Sequence, residues 1–294
     1  MVKHEGLESG ARIDHASLPP QKPISPAQRI SKLRQKRNLI QTLDRLLKRK
    51  MPPDDFLVPL GNLLDGIQHK AASLQDVTFF RARVMDTDPF THTDELKYPP
   101  PEHSLHGRLN KKGNPILYAA YSPAASIVEI SAKVGQTLAI AIIKELPGHA
   151  DRVRYFPIGM PASSQYATPT RDRAEQLVHD YLNSEMSKRV NKGEEHLYNS
   201  TIAIAENFLG KPLLHLRYNT RLETGLIYPS VRADQSLDTN SYNVAMKPEV
   251  FDAHFRIVEI KSFIIMDVND IRQVNHATVR EDGTLDWEQA WPSY

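Results

Sequence analysis

Residues 107–129 read GRLNKKGNPILYAAYSPAASIVE, and this stretch joins a polar turn, a short strand and an apolar helical run. The segment ILYAAY at 116–121 has the apolar and aromatic content of a strand. The helical run after it ends on a carboxylate, Glu129. Because scaffolds present functional groups at the ends of strands, this stretch predicts both a fold element and part of a site.

The chain after residue 74 continues with the same mixture of short strands and helices. Further strand patterns occupy residues 77–84, 137–144, 153–157, 213–216, 226–229, 243–245 and 255–263. Apolar residues at helical spacing predict helices at 171–190 and 195–209. The sequence contains neither a Gly-rich dinucleotide fingerprint nor a P-loop. We therefore expect an α+β fold with a mixed sheet core and flanking helices.

Composition excludes several kinds of chemistry. The chain has 294 residues, 40% of them hydrophobic and 24% charged, and a formal net charge of +2. This balance is ordinary for a globular enzyme. The absence of cysteine excludes thiol nucleophiles, disulfides and Cys-ligated metals. Because no apolar run is long enough to span a bilayer, we expect a cytoplasmic protein with no membrane partner.

The two ends of the chain differ from its centre. A polar, proline-containing flexible tail is expected at 1–26, and a second tail at 266–294. Between them, a helical extension at 27–74 precedes the catalytic part, and its first helix is expected to end before Pro52 and Pro53. We expect deletion of residues 1–50 to leave catalysis intact.

The first helix of the extension is strongly basic. Nine Lys or Arg residues and one acid, Asp44, lie between positions 29 and 50. We expect its apolar stripe to pack on the catalytic domain and its basic face to be solvated. An acidic protein partner is the second interpretation, ahead of an anionic membrane surface or nucleic acid. Nucleic acid is disfavoured because the stretch has no aromatic residue on which bases could stack.

Four fragments of the chain, taken in order, resemble the RES domain family. They read FFRAR at 79–83, GRLNKKGNPILYAAYSPAASIVE at 107–129, GLIYPSVR at 225–232 and NVAM at 243–246. The resemblance predicts a catalytic domain at 75–265. The family is named for an arginine, a glutamate and a serine, which correspond here to Arg81, Glu129 and Ser230. Leu109 departs from the pattern, since an aromatic residue is usual there, and Arg83 is an alternative to Arg81.

The resemblance carries expectations about fold and activity. It implies an ADP-ribosyltransferase-like core and a toxin that degrades NAD, with NAD as substrate and no bound cofactor. Either water or inorganic phosphate is a competent acceptor. It also implies a cognate antitoxin protein of Xre type, and it leaves a homodimer open. Two rivals remain: ADP-ribosyl transfer onto a macromolecule, and a non-enzymatic module that binds nucleic acid or protein through the basic helix.

The family residues make chemical sense for that reaction. Nicotinamide leaves NAD as a neutral ring, so the barrier lies in the developing oxocarbenium-like ribose cation, which a carboxylate such as Glu129 stabilises. Arg81 offers a planar fork that matches a pyrophosphate, and Arg83 replaces or assists it on the same strand face. The alternatives are a solvated helix carboxylate and strand arginines paired with surface acids.

Five further positions are candidates for contact with NAD. Arg108 either reaches the phosphates or pins its turn, and Tyr118 either stacks on the nicotinamide or fills the core. Ser230, after the rigid Tyr228-Pro229 pair, would bind the ribose or the carboxamide, with Tyr228 beside it. Asn243 either contacts NAD or holds the Ser230 turn. No metal site is expected, because the only closely spaced histidines lie in a Pro-rich loop without further ligands.

Overall fold

The computed structural model describes residues 25–289, apart from 68, 75, 86–87, 150–151, 162, 168–169, 210–212, 216–219, 232–241 and 268–269. The expected N-terminal tail therefore lies almost entirely outside the described residues. Among the residues described, no helix is both long enough and apolar enough to cross a membrane.

A single twisted sheet forms the centre of the molecule. Its strands are β1 (Thr78–Met85), β2 (Leu117–Ala120), β3 (Thr137–Glu145), β4 (Val153–Pro157), β5 (Leu213–His215), β6 (Thr220–Pro229), β7 (Tyr242–Met246), β8 (Phe255–Asp267), β9 (Asp270–Val279) and β10 (Leu285–Trp287). Nine of them follow the order β10-β9-β8-β3-β1-β2-β7-β6-β4, and β5 pairs with β6. The β4–β6 pair is parallel and the other pairs are antiparallel, so the sheet is mixed.

Helices flank this sheet. They are α1 (Pro26–Lys48), α2 (Asp54–Leu64), α3 (Pro123–Glu129), α4 (Arg173–Met186), α5 (Asn199–Leu209) and α6 (Pro248–His254). The first begins at a capping box, in which the Ser25 hydroxyl accepts from the Gln28 N–H and the Gln28 side chain accepts from the Ser25 N–H. The predicted helix at 195–209 divides into a 3-10 turn, Glu195–Tyr198, and α5. Together these elements confirm the α+β class and the mixed sheet core.

The core lies on both faces of the sheet. On one face, Phe79 of β1 packs edge to face against Tyr155 of β4. On the other face, residues of α4 and α5 pack on strands β6 and β7, as Val178 and Leu226 illustrate. Alternating side chains of the same strands thus supply both clusters, as the two-residue period of a strand requires.

The helical extension shares the second of these clusters. Buried side chains of α1 and α2 enter it, among them Leu43 and Phe56, together with the sheet residue Tyr228. The core is therefore continuous across residue 74, where the sequence predicts that the helical extension ends. The reason is the apolar stripe of α1, which the sequence places correctly and which lies against α2 and α4.

The expectation of a C-terminal tail at 266–294 is wrong. Strand β8 extends to Asp267, and β9 and β10 continue the sheet to Trp287. The Trp287 indole N–H donates to the Phe90 carbonyl at 2.9 Å, which ties this end of the chain to the loop after β1. The sequence hides β9 because it lies near the edge of the sheet, where mostly polar side chains face solvent and weaken the apolar alternation.

Candidate active site

A cleft crosses four neighbouring strands where the motif residues meet. Register aligns Phe80 of β1 with Ala120 of β2, Ala120 with Asn243 of β7, and Asn243 with Tyr228 of β6. One row of residues therefore runs beneath a cavity of about 270 Å³. Six of the candidate residues line it, namely Arg81, Arg108, Tyr118, Glu129, Tyr228 and Asn243.

Glu129 is held by hydrogen bonds from two buried donors. It is the last residue of α3, a short helix capped by Ser122, whose hydroxyl accepts from the Ala125 N–H at 3.1 Å. Glu129 Oε1 accepts from Asn243 Nδ2 at 2.7 Å and from the Ser230 hydroxyl. Ser230 and Asn243 are 1% and 4% exposed. Among the described residues, nothing donates to Oε2, so one carboxylate oxygen is oriented and the other is available to a ligand.

Arg81 brings a positive charge into the cleft. Its Nε donates to the Leu96 carbonyl at 3.1 Å and its Nη1 to the Tyr118 carbonyl at 2.7 Å. Burial, and secondarily the neighbouring Arg83, lower the pKa of the guanidinium to about 10, so it stays charged at neutral pH. Within the described part of the chain no carboxylate forms an ion pair with it. A partly buried cation that lacks an acidic partner among the described residues fits an anionic ligand, and three of its five N–H groups remain for one.

Arg83 lies outside the cleft although it shares a strand face with Arg81. Its side chain is exposed, and its Nη1 donates to the Glu95 carbonyl. The guanidinium carbon lies 5.8 Å from the centre of the Phe90 ring. Both arginines therefore bind the 3-10 turn Thr93–Leu96, but only Arg81 also lines the cleft.

Arg108 fastens the cleft to the end of α4. Its Nη1 donates to the Met186 carbonyl at 2.8 Å and its Nη2 to the Lys188 carbonyl at 3.0 Å. These carbonyls belong to the last turn of the helix and the residues just after it, where unpaired carbonyls are normal and a cation is favoured. The pinning role weighed for Arg108 is therefore present, while its side chain still lines the cavity.

Tyr198 is a cleft residue that the sequence analysis missed. Its ring lies under the Arg108 guanidinium, 5.4 Å from ring centre to Cζ, and it lines the cavity from the 3-10 turn before α5. No local motif marks this position, because it reaches the cleft only through the packing of α5 against the sheet. An aromatic ring backed by a guanidinium is a suitable platform for a planar ring of a ligand.

Tyr118 holds the turn that forms the mouth of the cleft. Its hydroxyl accepts from the Leu109 N–H at 2.9 Å and donates to Asn110 Oδ1 at 2.8 Å. A Cβ on Gly107 would lie 2.5 Å from that same Oδ1, so the turn requires glycine. Burial raises the pKa of the Tyr118 hydroxyl, which keeps it protonated. Its ring lines the cavity, whereas its hydroxyl is already hydrogen-bonded to residues of the turn.

Tyr228 lies on the floor of the cleft as a neutral phenol. Burial raises the pKa of its hydroxyl well above the ordinary value, with Tyr118 and Glu129 adding to the effect. No described histidine lines the cavity, and His92 Nδ1 accepts from the Asp94 N–H in the cap of a 3-10 turn. Over the described ranges, no three His, Asp or Glu side chains are grouped so as to hold a metal ion.

Comparison with known families decides the family. The family model described as "RES domain" matches residues 78–265, well over half of the chain. This chain belongs to the RES domain family. The RES domain is ADP-ribosyltransferase-like, and its family is associated with enzymes that act on NAD and with toxin-like function. No curated protein and no solved structure gives a significant match.

The matched RES region contains all eight candidate residues, from Arg81 to Asn243. It excludes α1 and α2, which nevertheless contribute to the core beneath Tyr228. It also ends before β9 and β10, which lie at one edge of the same sheet.

Proposed function

We propose that this RES protein cleaves NAD at the bond between nicotinamide and ribose. The observation that carries the proposal is the cleft that holds both an oriented carboxylate, Glu129, and a partly buried guanidinium, Arg81, which has no acidic partner among the described residues. The first suits a developing ribose cation, and the second suits a diphosphate.

Glu129 would act on the ribose through charge. As the glycosidic bond lengthens, its electron pair goes to the pyridinium nitrogen and positive charge appears on the ribose ring. A fixed carboxylate opposes that charge without reorganising, because Ser230 and Asn243 already hold it. Nicotinamide leaves as a neutral molecule, so no residue is needed to protonate it.

Arg81 would hold the diphosphate of NAD. Its two backbone hydrogen bonds fix the guanidinium plane, so little side-chain entropy is lost when a ligand binds. Arg108, already fixed to the end of α4, adds a second positive charge on the same cavity. The Tyr198 ring, which lies under the Arg108 guanidinium, offers a flat surface for one of the two bases of NAD.

The acceptor in the proposal is water or inorganic phosphate. With water, its oxygen bonds to the ribose C1 carbon, a proton is lost to solvent, and ADP-ribose results. With phosphate, a phosphate oxygen forms that bond and ADP-ribose phosphate results. An Xre-type antitoxin remains the proposed partner, and a toxin role remains part of the proposal.

Product analysis tests the proposal. The purified full chain is incubated with NAD, with and without phosphate, and the products are identified by mass. Nicotinamide together with ADP-ribose supports hydrolysis, and nicotinamide with ADP-ribose phosphate supports phosphorolysis. Nicotinamide release that appears only when another protein is added, with the added protein gaining ADP-ribose, would assign the chain to the transferase rival instead.

A further inference from the structure

Helix α1 presents four basic side chains on one exposed face. Arg34, Arg37, Arg45 and Lys48, here called the basic stripe, are all exposed. At 3.6 residues per turn they fall within an arc of about 80° and span about 21 Å along the axis. The buried side of the helix, represented by Leu43, lies on the opposite face. The stripe therefore faces away from the protein.

Two other basic residues of α1 bind groups at the ends of neighbouring helices. Lys36 is buried, and its Nζ donates to the Asn62 carbonyl at 3.0 Å and the Asp65 carbonyl at 2.6 Å, at the end of α2. Lys32 forms a 3.0 Å ion pair with Asp172, the N-cap of α4. Both side chains join α1 to a neighbouring helix. Among the described residues, none forms such a connection with the basic stripe.

The stripe has no acidic partner within the described part of the protein. Arg45 donates only to the Gln41 carbonyl and the Thr42 hydroxyl of its own helix, and Asp44 is the only acid on α1. The helix dipole favours Arg45 and Lys48 in the last turn, but it gives no advantage to Arg34 and Arg37 in the middle. Because the whole chain carries only +2, this concentration of charge is local.

We propose that the basic stripe docks an acidic segment of a protein partner. Arginine pairs with carboxylates through two parallel hydrogen bonds, and three of the four stripe residues are arginines. Ile30 lies on the same face one turn before Arg34 and is 70% exposed. Protein interfaces are enriched in arginine and contain apolar side chains, and this face of α1 combines the two. A phosphate backbone would gain nothing from Ile30.

The docking surface is separate from the cleft. Helix α1 precedes the matched RES region, and none of the stripe residues lines the cavity. The proposal therefore does not depend on the cleavage reaction. It predicts that stripe variants lose partner binding and keep the turnover that the cleft provides.

Fluorescence anisotropy with defined probes tests the docking. The first probe is a labelled 20-residue helical peptide with glutamates at positions i, i+3, i+11 and i+14 and a leucine one turn before the first. The second has the same composition in scrambled order, and the third is a 20-base-pair DNA duplex. We expect the ordered peptide to bind most tightly. The triple variant R34Q/R37Q/R45Q should bind this peptide about 10-fold or more weakly than the wild type does. Added salt should lower the affinity of the wild type for the peptide.

A matched variant separates the stripe from general charge. R29Q/K50Q/K133Q removes the same number of charges from exposed positions outside the stripe, and it should change the affinity less than about 3-fold. Equal losses in the two triple variants would overturn the proposal, as would equal binding of ordered and scrambled peptides. Stripe-dependent binding of the duplex tighter than that of the peptide would overturn it in favour of nucleic acid.

Discussion

Asn243 Nδ2 lies 2.7 Å from Glu129 Oε1 and donates a hydrogen bond to it, although 114 positions separate the two residues in the chain. The pairing of β6 with β7 sets Asn243 opposite Tyr228, and Ser230 follows two residues later. Both donors to Glu129 are therefore delivered by one strand pair. The carboxylate is oriented by the sheet before any substrate binds.

Ser230→Ala removes one of these two donors, and we expect it to lower kcat for NAD cleavage about 10-fold or more. A hydrogen bond to a charged group in a buried site is worth about 1.5–3 kcal/mol. The matched change is Ser126→Ala, since the Ser126 hydroxyl also lies at the cleft but donates to the Pro123 carbonyl. Steady-state kinetics should show little change for Ser126→Ala. A Ser230→Ala protein as active as the wild type would contradict the positioning role.

Substitutions of Arg81 and of Arg83 should have different effects on KM for NAD. Arg81→Lys keeps a charge in the cleft but loses the planar fork, so we expect KM for NAD to rise about 10-fold or more. Arg83→Lys changes an exposed side chain outside the cleft and should leave KM within about 2-fold. The reverse pattern would exchange the two roles. No effect from either would remove this strand from the site.

The extension should contribute to stability. Leu43 is 1% exposed in the core that reaches Tyr228, so Leu43→Ala should lower the free energy of unfolding by about 2–5 kcal/mol in urea denaturation. Val58→Ala on α2 is the control, because Val58 is 73% exposed. Deletion of residues 1–50 should lower Tm for the same reason. Turnover per folded molecule should persist, and its loss in a folded truncation would show that α1 completes the cleft.

Stability should also depend on the protonation of His69. Its ring packs edge to face on Phe208 at 5.0 Å between centres, and burial lowers its pKa from 6.5 to about 4. Between pH 6.5 and about 4, the unfolded chain therefore binds a proton at His69 that the folded chain does not bind. The free energy of unfolding should fall as the pH drops from 6.5 to about 4, and His69→Leu should flatten that slope. The exposed His103→Gln should leave it unchanged.

Local patterns in the sequence locate most of the elements and the residues that line the cleft. Strands 137–145 and 153–157 are predicted to within one residue, because both are buried apolar runs bounded by turn residues. The RES motif brings Arg81 and Glu129 to the same cleft, Arg81 from strand β1 and Glu129 from the end of helix α3. Local patterns cannot predict the direction of a side chain: Arg83 shares the strand face of Arg81, but it is exposed and lies outside the cleft that Arg81 lines.

The missed features depend on tertiary packing. Tyr198 reaches the cleft from a 3-10 turn that carries no motif. Strands β9 and β10 pair at an edge, where few apolar side chains mark them, so residues 266–294 are misread as a tail. The amphipathic pattern of α1 is predicted, whereas the partner of its apolar face becomes visible only once Leu43 is seen beside α2 and α4.

Nicotinamide release by the Glu129→Gln protein tests the proposed function most directly. The amide keeps the shape of the side chain, and its oxygen still accepts from Ser230 and Asn243, so the fold should persist while the charge is lost. Glu281→Gln, an exposed glutamate between β9 and β10, is the matched control. We expect Glu129→Gln to release nicotinamide from NAD about 10²–10³ times more slowly than the wild type, with Glu281→Gln unchanged. A folded Glu129→Gln protein that releases nicotinamide at the wild-type rate would contradict the proposal.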